Sequence, residues 1–312
     1  MNDVTNSNII IYHGGCPDGI VGAWCFWSVY KDLYTYFPAR YNQQPPNVTG
    51  KNVIMVDFAY PLNITQQIIA DAKTVTILDH HKTTNSLISL KNDLNRDVYS
   101  LILDMSRSGA QIAWDYVNPN IQRPWFIDDI GDRDLWLWKI DGSRATTRAM
   151  CGLQLYENFD SINSILDNNR DFYLTIGNIL LGSDTNQYKN ICKTAIDCIV
   201  STIDQKQQYK CRVVECDIGS ASDVGNILIQ DDKCDFSVMW RYILDRNEWK
   251  LSCRSKSLDL TKVIPLIFGN GGGHPCATGC VIIGNKGETL RTYFKPVKKN
   301  ERFNQFNIIQ ST

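Results

Sequence analysis

Histidine is scarce in this chain. Only four histidines occur among the 312 residues, and they lie in three segments rich in glycine or aspartate: HGGCPDG, LDHHKT and GNGGGHPCATG. His13, His80 and His81 follow apolar, β-branched runs almost directly. Histidines scattered over a surface or buried in a core would not share such a setting, so the placement predicts a functional site rather than packing.

An excess of basic charge is also missing. The chain has 32 Lys and Arg against 33 Asp and Glu, which gives a formal net charge of -1. Proteins that coat long duplex nucleic acid by bulk electrostatics need a basic surface, so this mode of binding is not expected. Short or small phosphate-bearing substrates remain compatible with the composition.

Long apolar runs and paired metal-type cysteines are absent from the sequence as well. No apolar stretch approaches the roughly 18–20 residues of a membrane helix, so no membrane partner is expected. The eleven cysteines include no CxxC pair, and no secretory leader is recognised ahead of them. We therefore expect reduced thiols, most of them small core residues, in a cytoplasmic protein.

Strand and helix patterns alternate in the first half of the chain. Short β-branched runs at 8–12, 53–56 and 75–78 alternate with helical patterns at 20–29 and 62–72. Such βαβ alternation predicts an α/β fold with a doubly wound, mostly parallel sheet. We assign this N-terminal domain to residues 1–180, because 312 residues exceed what one core usually serves.

Polar residues follow three of these predicted strands. The segment HGGCPDG follows the first, Asp57 the second, and Asp79, His80 and His81 the third. In an open α/β sheet, the carboxyl ends of the strands line the ligand crevice. Histidine and aspartate from separate parts of the sequence should therefore converge in one pocket, as a metal site requires.

Two further features complete the first domain. A strand is predicted at 34–37, and SRSGAQIAWDYV predicts an amphipathic helix with Ser106 or Ser108 near its start. An acidic cluster follows in FIDDIGDRDLWLW, where like charges repel unless a cation or an arginine neutralises them. A solvated acidic turn is the alternative interpretation of this cluster, whose members are Asp128, Asp129, Asp132 and Asp134.

The second half of the chain has a different pattern. Apolar spacing over 187–203 predicts a helix, which we place in a helical linker at 181–208. Residues 209–312 predict a smaller α+β domain with a mixed sheet, including a hairpin around DRNE. Near its end, GNGGGHPCATG lies between a helix and a strand, where glycine backbone N–H groups can hold phosphate oxygens. Glycine-rich turns also occur for purely steric reasons.

Several of these segments together resemble one known family. YHGGCPDGIVGAW, VDFAYP, LDHHKT, SRSGAQIAWDY, GDRDLW, SDVGNIL, LSCRSK and FGNGGGHPCATG resemble, in order, the motifs of the DHH phosphoesterases that carry the DHH-associated C-terminal domain. The resemblance spans nearly the whole chain. It implies a hydrolase using manganese or a similar divalent ion, as in RecJ-type exonucleases, pAp-cleaving oligoribonucleases and cyclic-dinucleotide phosphodiesterases.

The resemblance also implies roles for individual residues. His13 would bind a first metal, Asp57 would bridge two metals, and Asp132 with His80 would hold the second, with Asp18 completing the set. Asp134 or Asp129 is an alternative to Asp132. His81 would contact the scissile phosphate while Asp79 orients a histidine. In the second domain, the implied substrate-binding residues are Arg254, Gly271, Gly272, Gly273 and His274.

The first motif departs from the family pattern. It usually supplies two aspartates, whereas HGGCPDG supplies Asp18 alone, with Cys16 two positions earlier. A thiolate at Cys16 would favour a softer ion such as zinc. The alternative is that Cys16 packs behind the loop. Manganese is the metal expected from the remaining ligands, with magnesium and zinc as alternatives, bound as one ion or two.

Two classes of function follow. The first is hydrolysis of phosphate esters of short nucleotides, namely short oligonucleotides, dinucleotides or pAp, with cyclic dinucleotides as an alternative. The second is a non-catalytic nucleotide-binding or scaffold protein with a degenerate metal site. Retention of the DHH triplet, Asp57 and the GGGH segment favours the first. The expected partner is a short nucleic acid or nucleotide, and the sequence leaves a homodimer open.

Overall fold

Two compact units make up the chain, Met1–Gly182 and Ser183–Thr312. A computed structural model describes residues 7–41, 43–90, 98–230, 232–284 and 289–297. The extreme ends of the two predicted domains, 1–6 and 298–312, lie outside the described residues. Each unit has its own sheet and its own buried clusters, so each is described by itself.

The first unit is built on a parallel five-stranded sheet of order β2-β1-β3-β4-β5. Its strands are β1 Asn8–His13, β2 Thr35–Ala39, β3 Asn52–Val56, β4 Thr74–Asp79 and β5 Tyr99–Leu103. Its helices are α1 Pro17–Tyr30, α2 Leu62–Asp71, α3 Gly109–Val117, α4 Trp125–Asp134, α5 Ser143–Gly152 and α6 Phe159–Asn163. Short 3-10 helices occupy Lys31–Leu33, Lys82–Leu87 and Ser164–Asp167. The predicted α/β class and parallel sheet are confirmed.

Both faces of this sheet are buried, which explains the continuous apolar runs in its strands. Ile10 and Ile54 belong to one core cluster, whereas Ile9 and Val53 belong to another. Successive residues of a strand point to opposite faces, so the two clusters lie on the two sides of the sheet. Helices therefore cover both faces, and polar residues are left for the strand ends.

The acidic segment FIDDIGDRDLWLW forms most of a helix rather than a solvated turn. Helix α4 covers Trp125–Asp134, and only the residues after it leave the helical path. Phe126, Ile127 and Ile130 are buried in the core. Their spacing of three to four residues is the helical period, and it decides the structure despite the density of negative charge.

The second unit contains a mixed seven-stranded sheet of order β10-β11-β9-β8-β7-β6-β12. The strands are β6 Ile196–Ser201, β7 Gln208–Glu215, β8 Phe236–Ile243, β9 Glu248–Arg254, β10 Gly272–His274, β11 Ala277–Ile283 and β12 Phe294–Pro296. Strands β7 and β8 are parallel, and the other pairs are antiparallel. The predicted mixed sheet and the hairpin around DRNE are confirmed.

Helices complete the second unit. They are α7 Arg170–Cys192, which begins in the first unit, α8 Ala221–Leu228, α9 Leu260–Phe268 and α10 Thr289–Tyr293, with 3-10 turns at Ile218–Ser220 and Leu244–Arg246. Among the described residues, no helix is both long enough and apolar enough to span a bilayer. None of the eleven cysteines is in a disulfide.

The helix predicted over 187–203, within the linker at 181–208, is wrong in its second half. Helix α7 begins at Arg170 and ends at Cys192, and Ile196–Ser201 form strand β6 instead. In β6 the buried residues alternate, because Ile196, Cys198 and Val200 face the core. The β-branched residues of 196–201 alternate in burial and pair with strands on both sides. This pairing decides the structure, although the apolar residues also repeat every four positions as in a helix.

Candidate metal centre

The polar residues that follow three strands of the first unit meet at one edge of the sheet. Strand β1 ends at His13, Asp57 directly follows β3, and β4 ends at Asp79 before His80 and His81. These three strands are neighbours, in the order β1-β3-β4, and run parallel. Their carboxyl ends therefore bring together side chains that are up to 68 positions apart in the sequence, from His13 to His81.

His80 is at the centre of the cluster. Its Nε2 lies 3.0 Å from Oδ1 of Asp57, 3.5 Å from Oδ2 of Asp134 and 3.7 Å from Oδ2 of Asp18. On the other side of Asp57, Oδ2 lies 3.4 Å from Nδ1 of His13. One carboxylate thus faces two histidines through its two oxygens.

Asp18 is fixed by the start of a helix. Its Oδ2 accepts a hydrogen bond from the backbone N–H of Gly109 at 2.6 Å, and its Oδ1 accepts one from Ala110 at 3.1 Å. These residues begin α3, where unpaired N–H groups and the helix dipole favour a carboxylate. The carboxylate of Asp18 is 1% exposed, so its orientation is set by the backbone.

The three aspartates around His80 carry more negative charge than the neighbouring histidines neutralise. Burial, Asp57 and Asp134 raise the pKa of Asp18 well above its usual value. Burial lowers the pKa of His80, but the contacts with Asp57, Asp134 and Asp18 raise it more, to about 10. Asp134 is also the last residue of α4, where the negative end of the helix dipole disfavours a second negative charge. A bound divalent cation would relieve all of these effects.

Several sets of ligand atoms among the described residues lie close enough together to hold an ion, and two of them flank Asp57 and His80. In each of the sets His13–Cys16–Asp57 and Asp18–His80–Asp134, one ligand atom per residue lies within 4.8 Å of the others. Oδ2 of Asp57 and Oδ2 of Asp134 are buried and have no hydrogen-bond partner in the described part of the chain. Buried carboxylate oxygens without partners are costly unless a cation uses them, so the residues present fit a metal centre.

The four aspartates of the acidic segment have different partners, and only one faces this centre. Asp132, the predicted ligand, accepts hydrogen bonds from Lys139 N at 2.8 Å, Ile140 N at 3.2 Å and Ser143 Oγ at 2.6 Å. Its carboxylate is thereby used to hold the chain after α4. Asp134, the alternative, lies beside His80 instead. On the helix the two are separated by about 200° of rotation, so they cannot share a face.

Asp128 and Asp129 are paired with arginines. Asp128 accepts hydrogen bonds from the side chains of Arg123 at 2.9 Å and Gln111 at 2.8 Å. Asp129 accepts from Arg170 Nε at 3.0 Å and from Thr146 Oγ1 at 2.6 Å. Arginine thus neutralises part of the acidic cluster, and Asp129 is paired with Arg170 and Thr146 rather than with the histidines of this centre.

Asp79 and His81 form a second pair beside the metal ligands. Oδ1 of Asp79 accepts a hydrogen bond from Nδ1 of His81 at 2.7 Å and from the backbone N–H of His80 at 2.8 Å. Burial raises the pKa of Asp79, but His81 lowers it more, so this carboxylate stays ionised. Burial lowers the pKa of His81, and Asp79 raises it to about 9. Asp79 therefore fixes the ring of His81 in one orientation.

Residues to which the sequence assigned no role in the metal centre also shape it. A Cβ at Gly109 would lie 2.5 Å from Cβ of Asp57 and 2.9 Å from Oδ2 of Asp18, so only glycine fits. Ser108 caps α3 in a capping box with Gln111. Thr84 donates its hydroxyl to Oδ2 of Asp79. The Ser-x-x-Gln pattern at 108–111 is the one sequence signal that points to this helix start.

In the second unit, two of the predicted substrate-binding residues, His274 and Arg254, share one cross-strand row. His274 of β10 pairs with Ala277 of β11, and Ala277 pairs with Arg254 of β9. Directly paired residues point to the same face, and strands lie about 4.8 Å apart, so His274 and Arg254 flank the small Ala277 at roughly 10 Å. Nη2 of Arg254 donates to Oγ of Ser222 at 2.6 Å, which steadies the guanidinium.

The glycines before His274 are required by a hairpin. Gly271 and Gly273 have φ of 148° and 132°. A Cβ at Gly273 would lie 2.5 Å from the carbonyl oxygen of Ala277, and one at Gly271 would lie 2.8 Å from Ile264. Gly272 pairs with Gly279 in the ladder. Backbone geometry thus accounts for Gly271 and Gly273 by itself, and a phosphate-binding role for Gly271, Gly272 and Gly273 stays a prediction.

Comparison with known proteins finds a relative of this chain by sequence. No protein-family model matches it. It is 31% identical over 306 residues to the uncharacterized protein R106 of Acanthamoeba polyphaga mimivirus, covering 90% of this chain and 68% of that one.

Several solved structures are similar at low identity. The pGpG-specific phosphodiesterase PggH from Vibrio cholerae is 13% identical over 96% of this chain and 98% of its own, with a TM-score of 0.43. An exopolyphosphatase-related protein from Bacteroides fragilis is 13% identical over 97% of this chain and 90% of its own, with a TM-score of 0.44. RecJ in complex with Mn2+ from Thermus thermophilus is 11% identical over 88% of this chain and 49% of its own, with a TM-score of 0.45.

Proposed function

Because the chain belongs to the family of mimivirus protein R106 and its sequence motifs resemble those of the DHH phosphoesterases, we propose that it is a metal-dependent phosphoesterase that hydrolyses phosphate esters of short nucleotides. The observation that carries this proposal is the convergence of Asp18, Asp57, His80 and Asp134 around one buried point, with His13 on the far side of Asp57. Oxygen and imidazole donors in this mixture suit manganese, with magnesium and zinc as alternatives.

The residues of the chain have distinct tasks in this proposal. Divalent ions held there would activate water and neutralise charge on the phosphate. His13 and Asp57 would hold one ion, and Asp18, His80 and Asp134 the other, with Asp57 between them. The helix α3 N-terminus holds Asp18 in place through Gly109 N. Asp134 takes the role that the sequence assigned to Asp132, because Asp132 is hydrogen-bonded elsewhere.

His81 is the residue that we assign to the substrate phosphate. Its Nδ1 donates to Asp79, so Nε2 is the atom that would meet a phosphoryl oxygen. With the pKa of His81 raised to about 9 by Asp79, the ring carries a proton at neutral pH. A positively charged ring at this position stabilises the negative charge that develops during phosphoryl transfer.

A pair of tryptophans that follows Asp134 closely in the sequence supports a nucleotide substrate. Trp136 and Trp138 follow Asp134 by two and four residues, and their ring centroids are 4.8 Å apart. Both have a positive φ, 55° and 51°, which bulky residues rarely adopt unless the surroundings impose it. The chain after Trp138 is held by hydrogen bonds from the backbone N–H groups of Lys139 and Ile140 to Asp132. Half-buried aromatic rings are the usual platform for a nucleobase.

The row of His274 and Arg254 supports a second contact with substrate. Arginine forms bidentate hydrogen bonds with phosphate, and a gap of roughly 10 Å over Ala277 leaves room for one. We assign these two residues to binding a substrate phosphate within the second unit. The balanced net charge of -1 fits a short substrate better than a long strand.

A substrate panel tests the function. The purified chain should hydrolyse at least one of pAp, dinucleotides, cyclic dinucleotides or two- to five-nucleotide RNA when manganese is added, and EDTA should stop the reaction. The control is Asp57→Asn, which keeps the shape but loses the bridging charge. Metal binding without hydrolysis of any member would instead identify a non-catalytic nucleotide-binding protein. Full activity after exhaustive chelation would refute the metal mechanism.

A second comparison tests the nucleobase. Trp136→Leu should raise KM for a nucleotide substrate roughly five- to a hundredfold, the scale of about 1–3 kcal/mol for one stacked base. Hydrolysis of pyrophosphate, which has no base, should be unaffected. An equal loss with both substrates would mean that Trp136 only shapes the chain after α4.

A further inference from the structure

The two donor sets of the centre differ in one atom type. Asp18, His80 and Asp134 offer two carboxylate oxygens and an imidazole nitrogen, whereas His13, Cys16 and Asp57 offer a nitrogen, a sulfur and an oxygen. Sulfur is the softer donor and favours zinc, cobalt(II) or iron(II) over manganese or magnesium. The two sets therefore differ in the metal that each would prefer.

Cys16 is placed to act as a ligand rather than to pack behind the loop. It is only partly buried, and its thiol, Nδ1 of His13 and an oxygen of Asp57 lie within 4.8 Å of one another. Cys16 is also the N-cap residue of α1, where its side chain makes no capping hydrogen bond. A cysteine that only fills space would lie among apolar side chains, as the buried Cys25 of the same helix does.

The acid beside Cys16 gives independent evidence of a cation. Asp57 is 1% exposed, and its Oδ2, which faces His13, accepts no hydrogen bond from the described residues. Oδ2 of Asp57 and Nδ1 of His13 lie 3.4 Å apart, and both are buried atoms without a hydrogen-bond partner among the described residues. Nδ1 of His13, the thiol of Cys16 and Oδ2 of Asp57 thus offer three ligand atoms to one cation.

Building on the proposed function, we propose that His13, Cys16 and Asp57 form a sulfur-containing site that selects a soft divalent ion such as zinc. The adjacent set Asp18–His80–Asp134 takes a hard ion such as manganese. The centre is thus asymmetric. Cys16 binds as a thiolate, and the proton that it loses goes to solvent when the metal enters.

Cobalt(II) is the probe that tests this site directly, because a thiolate ligand gives a charge-transfer absorption band that nitrogen and oxygen ligands do not give. Metal-free wild-type protein titrated with cobalt should develop this band at one equivalent. Cys16→Ser and Cys16→Asp should lose it while still folding. Cys151→Ser, at an exposed cysteine of the same unit, is the matched control and should keep it.

Metal affinity provides the second readout. By calorimetry, Cys16→Asp should weaken zinc binding at this site and tighten manganese binding, each about tenfold or more, the least that loss of a direct ligand should cost. Unchanged cobalt spectra and unchanged zinc and manganese affinities in both variants would overturn the role of Cys16 and leave the proposed phosphoesterase intact. Failure of the wild type to bind any of the three metals would overturn both.

Discussion

Gly109 donates its backbone N–H to the carboxylate of Asp18 across 2.6 Å, which joins the first turn of α3 to the second residue of α1. The same glycine faces Asp57, and a Cβ there would lie only 2.5 Å from the Cβ of that aspartate. One small residue thus sets the separation of two proposed metal ligands that are 39 positions apart in the sequence. The geometry of the centre depends on backbone as much as on ligands.

Gly109→Ala should therefore damage metal binding without removing a ligand. The added methyl group must displace Asp57, so manganese affinity should fall at least about tenfold. Overpacking of this kind also costs about 1–3 kcal/mol of unfolding free energy. Calorimetric metal titration and thermal unfolding measure the two effects.

Gly182→Ala provides the control for this substitution. Its added Cβ meets no atom within 4 Å, and the position lies inside α7, so stability should stay the same or rise slightly. If Gly109→Ala binds manganese as tightly as this control does, the backbone contact to Asp18 and the approach to Asp57 do not determine the site.

The two neighbouring aspartates of GDRDLW should respond in opposite ways. Asp134→Asn removes a proposed ligand, so it should weaken metal binding at least about tenfold while leaving the metal-free protein as stable as before or more so. Relief of repulsion with Asp57 and Asp18 is the physical reason. Asp132→Asn should retain metal affinity but lower the unfolding free energy by about 1–3 kcal/mol, because its buried hydrogen bonds are disturbed.

Metal titration and thermal unfolding of both variants separate these expectations. The reverse pattern, in which Asp132→Asn loses the metal and Asp134→Asn only loses stability, would restore the ligand that the sequence predicted.

Asp132 and Asp134 also show how much of the site can be predicted from the sequence. The parallel sheet, the strand-end positions of His13, Asp57 and His80, and the mixed second sheet follow from periodicity and motif order. The choice between Asp132 and Asp134 does not, because it depends on which side of α4 meets the sheet edge. Phe126, Ile127 and Ile130 decide that rotation by packing into the core.

The linker helix was mispredicted for a related reason. Residues Ile191, Ala195 and Ile199 repeat every four positions, yet Ile199 lies in β6 between two partner strands. Pairing with β7 and β12 is a long-range interaction that no local window contains. Likewise, Gly109 is an ordinary helix-start glycine by sequence, and only the approach of Asp57 shows why no side chain fits there.

His81→Ala should separate catalysis from metal binding. The substitution removes the proposed phosphate contact and leaves every proposed ligand in place, so kcat should fall about a hundredfold, the scale of one lost transition-state donor. Metal stoichiometry by elemental analysis should stay at the wild-type value. Asp79→Asn, which leaves His81 present but loosely held, should lower kcat by less. Near-normal turnover in His81→Ala would remove this residue from the mechanism.

Arg254→Ala and His274→Ala should act on substrate binding alone. Both residues lie in the second unit, in the row that crosses Ala277, so their loss should raise KM for short nucleotide substrates with little change in kcat and none in metal content. A charge-assisted contact contributes about 1.5–3 kcal/mol, which predicts roughly a ten- to hundredfold increase in KM for Arg254→Ala. Arg246→Ala is the matched control, because this half-exposed arginine contacts only Asp245 and Glu248 among the described ion pairs. If Arg254→Ala and Arg246→Ala give the same KM as the wild type, the second unit binds substrate by other residues. If kcat falls with KM unchanged, Arg254 contributes to the transition state instead.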